Sequence, residues 1–471
     1  MCNRTNSFIW ISLATYCWLV FAACVPAQKQ SSQPNILFIA VDDLNDWVGH
    51  LGGHPQARTP NIDRLAKQGV SFSRAYCAAP LCNPSRISLL TGIRPSSSGV
   101  YGNGERLRDK LPDATTLMQY LQQHGYSTQG GGKIFHGTKA YDPDSWDFYF
   151  TAKNHKRAVA KRQEGLSDSA WAPWGPLEVD DEEMFDTKVV NWTISQLQRS
   201  HDKPFFLACG FTKPHLPWFA PQQYFDLHPL DSIILPETLD DDRDDLPAWG
   251  KKFAREVHDV SGARNFATHG EDHDMVLKYD QWHRAVQAYL ATISYSDAQI
   301  GRLLDALESS EYADNTIVVL WGDHGWHLGE KQHWRKHALW EVTTRTPLII
   351  VDPTTAQQDR ICDRAVSLID LYPTLLDLCS LPNRSELAGQ SLVPLLRNPD
   401  IEWERPVLMT FGYQNHAVQT ESWRYIQYND GGEELYDHRK DPNEWHNLAA
   451  EGSYQSVIQE LQGWLPKVNQ Q

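Results

Sequence analysis

Asn35-Ile36-Leu37-Phe38-Ile39-Ala40-Val41-Asp42-Asp43 is an unbroken apolar run that ends on two carboxylates. The apolar residues are continuous, not alternating. A strand half-exposed to water alternates, whereas a strand covered on both faces does not. The run therefore predicts a central strand of a mostly parallel sheet, with Asp42 and Asp43 at its carboxyl end. Two other segments share this form. Phe205-Phe206-Leu207-Ala208-Cys209-Gly210-Phe211 leads to Lys213 and His215, and Thr316-Ile317-Val318-Val319-Leu320-Trp321 leads to Asp323 and His324.

Helical stretches lie between these runs. Asn61 to Gln68 is one, and Thr115 to His124, stopped by Gly125, is another. Tyr289 to Ser309 carries Ile293, Ile300, Leu303, Leu304 and Leu307 on one stripe. The whole predicts an α/β fold with a large, mostly parallel central sheet and helices on both faces. In such sheets ligands bind beyond the carboxyl ends of the strands. Asp42, Asp43, Lys213, His215, Asp323 and His324 should therefore converge. Near Gly389 the texture changes. Short runs at Val407–Tyr413, Trp423–Tyr428 and Glu434–Tyr436, with turn residues at Asn429–Gly432, predict a small antiparallel subdomain closed by a helix over Tyr454–Leu465. The expected division is a leader over 1–27, a catalytic domain over 28–396 and a small α+β subdomain over 397–471.

The leader reads as an export signal. Arg4 precedes the apolar stretch Phe8–Ala23, and Val25-Pro26-Ala27 fits a small-residue cleavage site. Lipid attachment at Cys24 is the alternative. No later stretch is long and apolar enough to span a bilayer. The protein is thus expected in the periplasm or outside the cell. Past the leader remain Cys77, Cys82, Cys209, Cys362 and Cys379, an odd set that leaves one cysteine with a separate task.

The formal net charge is -16, which argues against nucleic acid as a partner. An anionic substrate then needs a local cationic pocket. The 18 Trp and 18 Tyr offer apolar faces suited to sugar rings.

Residues 80–92 read Pro80-Leu81-Cys82-Asn83-Pro84-Ser85-Arg86-Ile87-Ser88-Leu89-Leu90-Thr91-Gly92. Cys82 opens a helix here, and Arg86 sits one turn in. A helix start stabilises anions through its free N–H groups. This segment resembles the signature of type I sulfatases, in which the cysteine is oxidised to formylglycine, and Asn83 departs from the residue most common there. A second signature appears as Gly125-Tyr126-Ser127-Thr128-Gln129-Gly130-Gly131-Gly132-Lys133-Ile134-Phe135-His136. Lys213-Pro214-His215 and Asp323-His324-Gly325-Trp326, with Lys336 downstream, are similar to the iduronate-2-sulfatase-like branch of the alkaline phosphatase-like superfamily.

The resemblance implies a specific chemistry. A hydrated formylglycine is a gem-diol: one oxygen attacks sulfur, and the other expels sulfate as the carbonyl re-forms. Asp42, Asp43 and Asp323, with His324 and the oxidised Cys82, are the expected ligands of one Ca²⁺, with Mg²⁺ as the alternative. Arg86, Lys133 and Lys336 are expected around the sulfate. His136 is expected to take the second diol proton and His215 to protonate the leaving alcohol. Lys133, His215, Trp326 and Lys336 form the expected substrate contacts, with His327, His333 and Trp334 at the mouth. His324, His327, His333 and His337 give no clean zinc-hydrolase spacing. The implied function is hydrolysis of sulfate esters on a sulfated carbohydrate, with a formylglycine-generating enzyme as maturation partner. A formylglycine-dependent phosphonate or phosphodiester hydrolase is the second reading. A glycan-binding homologue with unconverted Cys82 is the third.

Overall fold

The computed structural model describes residues 1, 33–137, 141–151, 174–255, 272–355 and 359–471. The expected leader and its cleavage site lie outside the described residues. Eight strands form the main sheet. In spatial order they are Arg360–Cys362, Val70–Phe72, Leu348–Val351, Thr316–Gly322, Asn35–Asp42, Phe205–Pro214, Ser127–Gly132 and Phe148–Phe150. All neighbours run parallel except Leu348–Val351, which is antiparallel to both of its partners.

The continuous apolar runs have the reason expected of them. Along Asn35–Asp42, Leu37, Ile39 and Val41 face one core with Leu207, Phe211 and Leu320. Ile36, Phe38 and Ala40 face the other with Phe206, Val319 and Trp321. The helix Trp282–Glu308 covers the first face and the helices Cys82–Thr91 and Leu371–Leu378 the second. The long helix begins seven residues before the expected start, because Ala285, Val286 and Ala288 extend its buried stripe. It also caps a neighbour: Asp297 accepts from the backbone N–H groups of Asn61 and Ile62 at 3.0 and 2.8 Å, at the first turn of the helix Pro60–Gln68. Those N–H groups have no partner within their own helix, so a carboxylate there satisfies them.

Register brings the reactive ends together. Val41 pairs with Phe211 on one side and Gly322 on the other, and the ladder then slips so that Asp42 meets Pro214. Such a bulge bends a strand and re-aims its side chains. Asp43 follows with φ 57, a left-handed conformation uncommon for a residue with a Cβ.

The strand Ser127–Gly132 ends in three glycines, and closeness explains the last. A Cβ on Gly132 would collide with the Gly210 carbonyl of the adjacent strand, and its φ is 78. This tight packing delivers Lys133 to the sheet's carboxyl edge, where its N–H donates to Gly210 at 3.0 Å.

The C-terminal strands Val407–Thr410, His416–Gln419, Trp423–Gln427 and Glu433–Asp437 form an antiparallel meander. One face packs with the helix Gln455–Gln462 through Val418, Tyr425, Leu435 and Ile458. The other packs on the main body through Met409, Ala417, Ile426 and Tyr436 against Tyr76, Leu339 and Trp340. Gln33 to Gln471 thereby form one compact unit. No helix among the described residues is long and apolar enough to cross a membrane.

Candidate active site

Every residue of the helix Cys82–Thr91 is buried. Its amino end points at the carboxyl edge of the sheet, and Leu81, at the cap position, offers no side-chain cap. The Asn83 N–H is met instead by Asn103 Oδ1 at 3.0 Å. Asn83 in turn donates to the carbonyls of Gly102 and Glu105 at 2.8 and 3.0 Å. The unusual asparagine of the motif thus fixes the loop that caps the cysteine's helix.

Around Cys82 the strand ends converge. Lys336 Nζ lies 2.9 Å from Cys82 Sγ and 2.6 Å from Asp43 Oδ1. His324 Nε2 lies 3.4 Å from the sulfur, Lys133 Nζ 3.7 Å and Asp43 Oδ1 3.9 Å. Arg86 donates Nε to Asp323 Oδ2 at 2.9 Å and Nη2 to Asp42 Oδ1 at 3.0 Å. Lys133 pairs with the other oxygen of Asp42. Asp323 Oδ1 accepts the Asp43 N–H at 3.0 Å, and Ser85 Oγ donates to the Asp323 carbonyl at 2.6 Å. His215 Nε2 stands 3.8 Å from Asp43 Oδ2. Residues 43, 82, 215, 323 and 336 thus meet in one constellation although they come from distant parts of the chain.

The electrostatics follow from burial among opposed charges. Burial, aided by Asp42 and Asp323 and opposed by Lys336, pushes the Asp43 carboxyl up to about 7. Burial likewise pushes the Cys82 thiol up to about 12, against the pull of Lys133 and Lys336. Asp42 is held well below the usual carboxylate range, because Lys133, His215 and Arg86 overcome its burial. Burial lowers His324 to about 4, which keeps its imidazole neutral. Its Nδ1 faces the Gly325 carbonyl at 3.0 Å, so the ring proton sits there and the Nε2 lone pair points into the site. Burial, with the ammonium groups of Lys133 and Lys336, lowers His215 well below its ordinary value. Burial and Lys133 lower His136 to about 3.

The donor set fits a hard divalent cation. Ligand atoms of Asp42, Asp43, Cys82 and His215 lie within 4.8 Å of one another, and so do those of Cys82, Asp323 and His324. Asp43 Oδ2 is buried and has no hydrogen-bond partner. An ionised oxygen in that position is costly unless a cation meets it.

Three expectations take a different form here. Lys213 carries its ammonium to the Pro217 carbonyl, within its own loop, and its N–H to Asp186 at 2.8 Å. Trp326 is only 2% exposed, with the Lys336 ammonium 5.3 Å from its ring centre, which puts the indole behind the lysine, not at the mouth. His327 and His333 are buried as well, and His333 bridges the carbonyls of Ala254 and Lys336 at 3.0 Å each.

The odd-cysteine inference also loses its basis. Cys77, Cys82, Cys209, Cys362 and Cys379 are all free and buried. The other four serve as small apolar fillers, so parity says nothing about Cys82. The sequence reading missed Tyr289. Its hydroxyl donates to the Asp43 carbonyl at 2.7 Å and accepts the Asn45 N–H at 3.0 Å, holding the left-handed turn. A tyrosine on the buried stripe of a helix was the only available sign.

A buried cysteine ringed by carboxylates and ammonium groups at the edge of such a sheet is suited to holding a cation and an anionic group side by side. Comparison with known proteins gives the family. The Sulfatase family profile matches residues 34–381, and the profile for the C-terminal part of N-sulphoglucosamine sulphohydrolase matches residues 329–471. A sulfatase of Formosa agariphila is 39% identical, over 94% of this chain and 88% of its own. The iduronate 2-sulfatase of Homo sapiens is 31% identical, over 83% of this chain and 72% of its own. A solved 2-O GAG sulfatase superposes with a TM-score of 0.70 at 25% identity, over 92% of this chain and 91% of its own. The chain belongs to the sulfatase family and is a sulfuric ester hydrolase.

Proposed function

We propose that the protein removes sulfate from a sulfated polysaccharide or its oligosaccharides, with Cys82 oxidised to formylglycine as the nucleophile. The observation that carries this reading is Cys82 itself, seated at a buried helix start with Lys336 at 2.9 Å, His324 at 3.4 Å and Asp43 at 3.9 Å. Two of the similar proteins are named for a 2-sulfate, so 2-O-sulfated uronate-containing sugars head the substrate panel.

Roles follow from position and charge. Asp42, Asp43, Asp323 and His324, with oxidised Cys82, would hold one Ca²⁺, Mg²⁺ being the alternative. Bound there, the ion would supply positive charge that favours ionisation of the nucleophile's oxygen. Lys133 and Lys336 face sulfate oxygens and stabilise charge as the ester bond breaks. Arg86, wholly buried, holds Asp42 and Asp323 in place through the contacts above. His136, neutral because burial and Lys133 lower it to about 3, would take the second diol proton only once a bound anion offsets the Lys133 charge. His215 would protonate the leaving sugar oxygen. Burial is the main cause of its low value, followed by the charges of Lys133 and Lys336, and sulfate bound to those two lysines would offset their part. Trp326 backs Lys336.

The division into 28–396 and 397–471, export by the 1–27 leader (or anchoring at Cys24) and maturation by a formylglycine-generating enzyme belong to the same proposal. The test is sulfate release from defined sulfated oligosaccharides beside matched phosphate and phosphonate esters. Faster turnover of the phosphorus esters would favour the phosphonate or phosphodiester reading.

A further inference from the structure

Lys336 sits on a strap whose backbone is unusual. Lys331, Gln332, Arg335 and His337 have φ values of 52, 49, 76 and 85, all in the left-handed region that residues with a Cβ avoid. Such a cluster persists only where its surroundings over-determine it. Here one tie is the deeply buried Lys331, itself 3% exposed, beside the more open pair Arg335–Asp272 at 3.0 Å. Its ammonium lies 2.7 Å from Asp242 Oδ1 and donates to the Glu444 carbonyl. It also lies 5.4 Å from the ring centre of Trp340 and 5.3 Å from that of Tyr436. Three separate parts of the chain thus meet on one charged atom: the segment with Asp242, the C-terminal subdomain with Tyr436 and Glu444, and the strap itself.

A buried ion pair is a poor way to gain stability. Apolar residues of like volume do as well or better, because they avoid desolvation. A methionine would fill the space between the two rings. What it would lose is the directed bond that fixes the strap's backbone, five residues before Lys336.

We propose that Lys331 is a positioning residue for sulfate ester hydrolysis: it anchors the strap to the C-terminal subdomain and so sets Lys336 against residue 82. This rests on the reading of Lys336 as a sulfate-facing group. The subdomain then has a part in catalysis without reaching the substrate.

A double-mutant cycle tests it, with 4-nitrophenyl sulfate as the probe. Lys331→Met is combined with Asp242→Asn so that no lone charge stays buried. Thermal unfolding of this pair should stay within a few degrees of the parent, while kcat/KM falls by about 10²-fold, the scale expected for a catalytic group misplaced by about 1 Å. In a Lys336→Met background the same pair should cost nothing more. An equal fold-loss in both backgrounds, or no loss in the parent, overturns the proposal. If the pair does not fold, Lys331→Gln with Asp242→Asn runs the same cycle, because that neutral pair also leaves no lone charge buried. Failure of the underlying reading has its own signature: Lys336→Met alone would leave kcat/KM unchanged.

Discussion

Arg86 and Asp323 meet at 2.9 Å with neither side chain exposed to solvent, although 237 residues separate them in the chain. The same guanidinium reaches Asp42 and the carbonyls of Lys133 and Ile134. One side chain therefore ties the cysteine's helix to three strand ends. Arg86→Gln removes the charge but leaves two carboxylates in the interior. Breaking a buried pair in this way costs about 3–5 kcal/mol. Urea unfolding should show that loss. A change below about 1 kcal/mol, the range of exposed pairs, would mean that the carboxylates are solvated.

His215 approaches the cluster from the loop after Phe205–Pro214, its Nε2 3.8 Å from Asp43 Oδ2. As acid for the leaving group, it matters in proportion to how poor that group is. His215→Ala should lower kcat on a sugar sulfate by about 10²–10⁴-fold, the usual scale of acid–base catalysis. The loss on 4-nitrophenyl sulfate should be much smaller, because nitrophenolate departs unaided. Equal losses on the two substrates would remove this role.

Much of this was readable in the sequence because it is local. Ile36–Val41 and Ile317–Trp321 are covered on both faces, so their continuous apolar runs and polar ends carried the strand and the site together. The strand Ser127–Gly132 was not readable as a strand. Its three glycines have little strand propensity; a Cβ on Gly132 would strike the backbone of Gly210, and one on Gly130 would strike the ring of Trp146. The antiparallel Leu348–Val351 escaped for another reason: an apolar run gives no direction. The resemblance puts Trp326 among the substrate contacts, yet it packs against Trp218, with ring centres 5.9 Å apart, and faces inward. Tyr289 and Lys331 act through contacts with distant segments, which spacing does not encode.

Removal of divalent ions gives a further test. An ion bound only by the folded state adds about 2.7 kcal/mol at 100 times its Kd. EDTA should therefore lower both activity and Tm, and added Ca²⁺ should restore both. Asp43→Asn, which alters the oxygen that lacks a partner, should abolish the Tm response. An unchanged Tm in EDTA would count against a bound ion.

Glu330 offers a test of pH dependence outside the reacting groups. Burial pushes its carboxyl from 4.5 up to about 7, although it accepts the Leu328 N–H at 2.7 Å. The folded protein therefore keeps a proton that the unfolded chain releases. Its contribution to stability is complete below pH 4.5 and is lost as pH rises through about 7. Asp242 and Asp297, each raised to about 6 mainly by burial, act in the same sense. Glu330→Gln should reduce the fall in Tm between those limits. An identical slope in parent and variant would contradict the assignment.

The decisive measurement is the mass of the peptide carrying Cys82, taken from active enzyme made in a host with the maturation machinery. The thiol there is expected to be oxidised, which replaces sulfur and hydrogens by a carbonyl oxygen and lowers the peptide mass by about 18 Da. The converted fraction should scale with sulfate release across preparations, and Cys82→Ala should have neither. Full activity from protein whose Cys82 is an intact thiol would contradict the account.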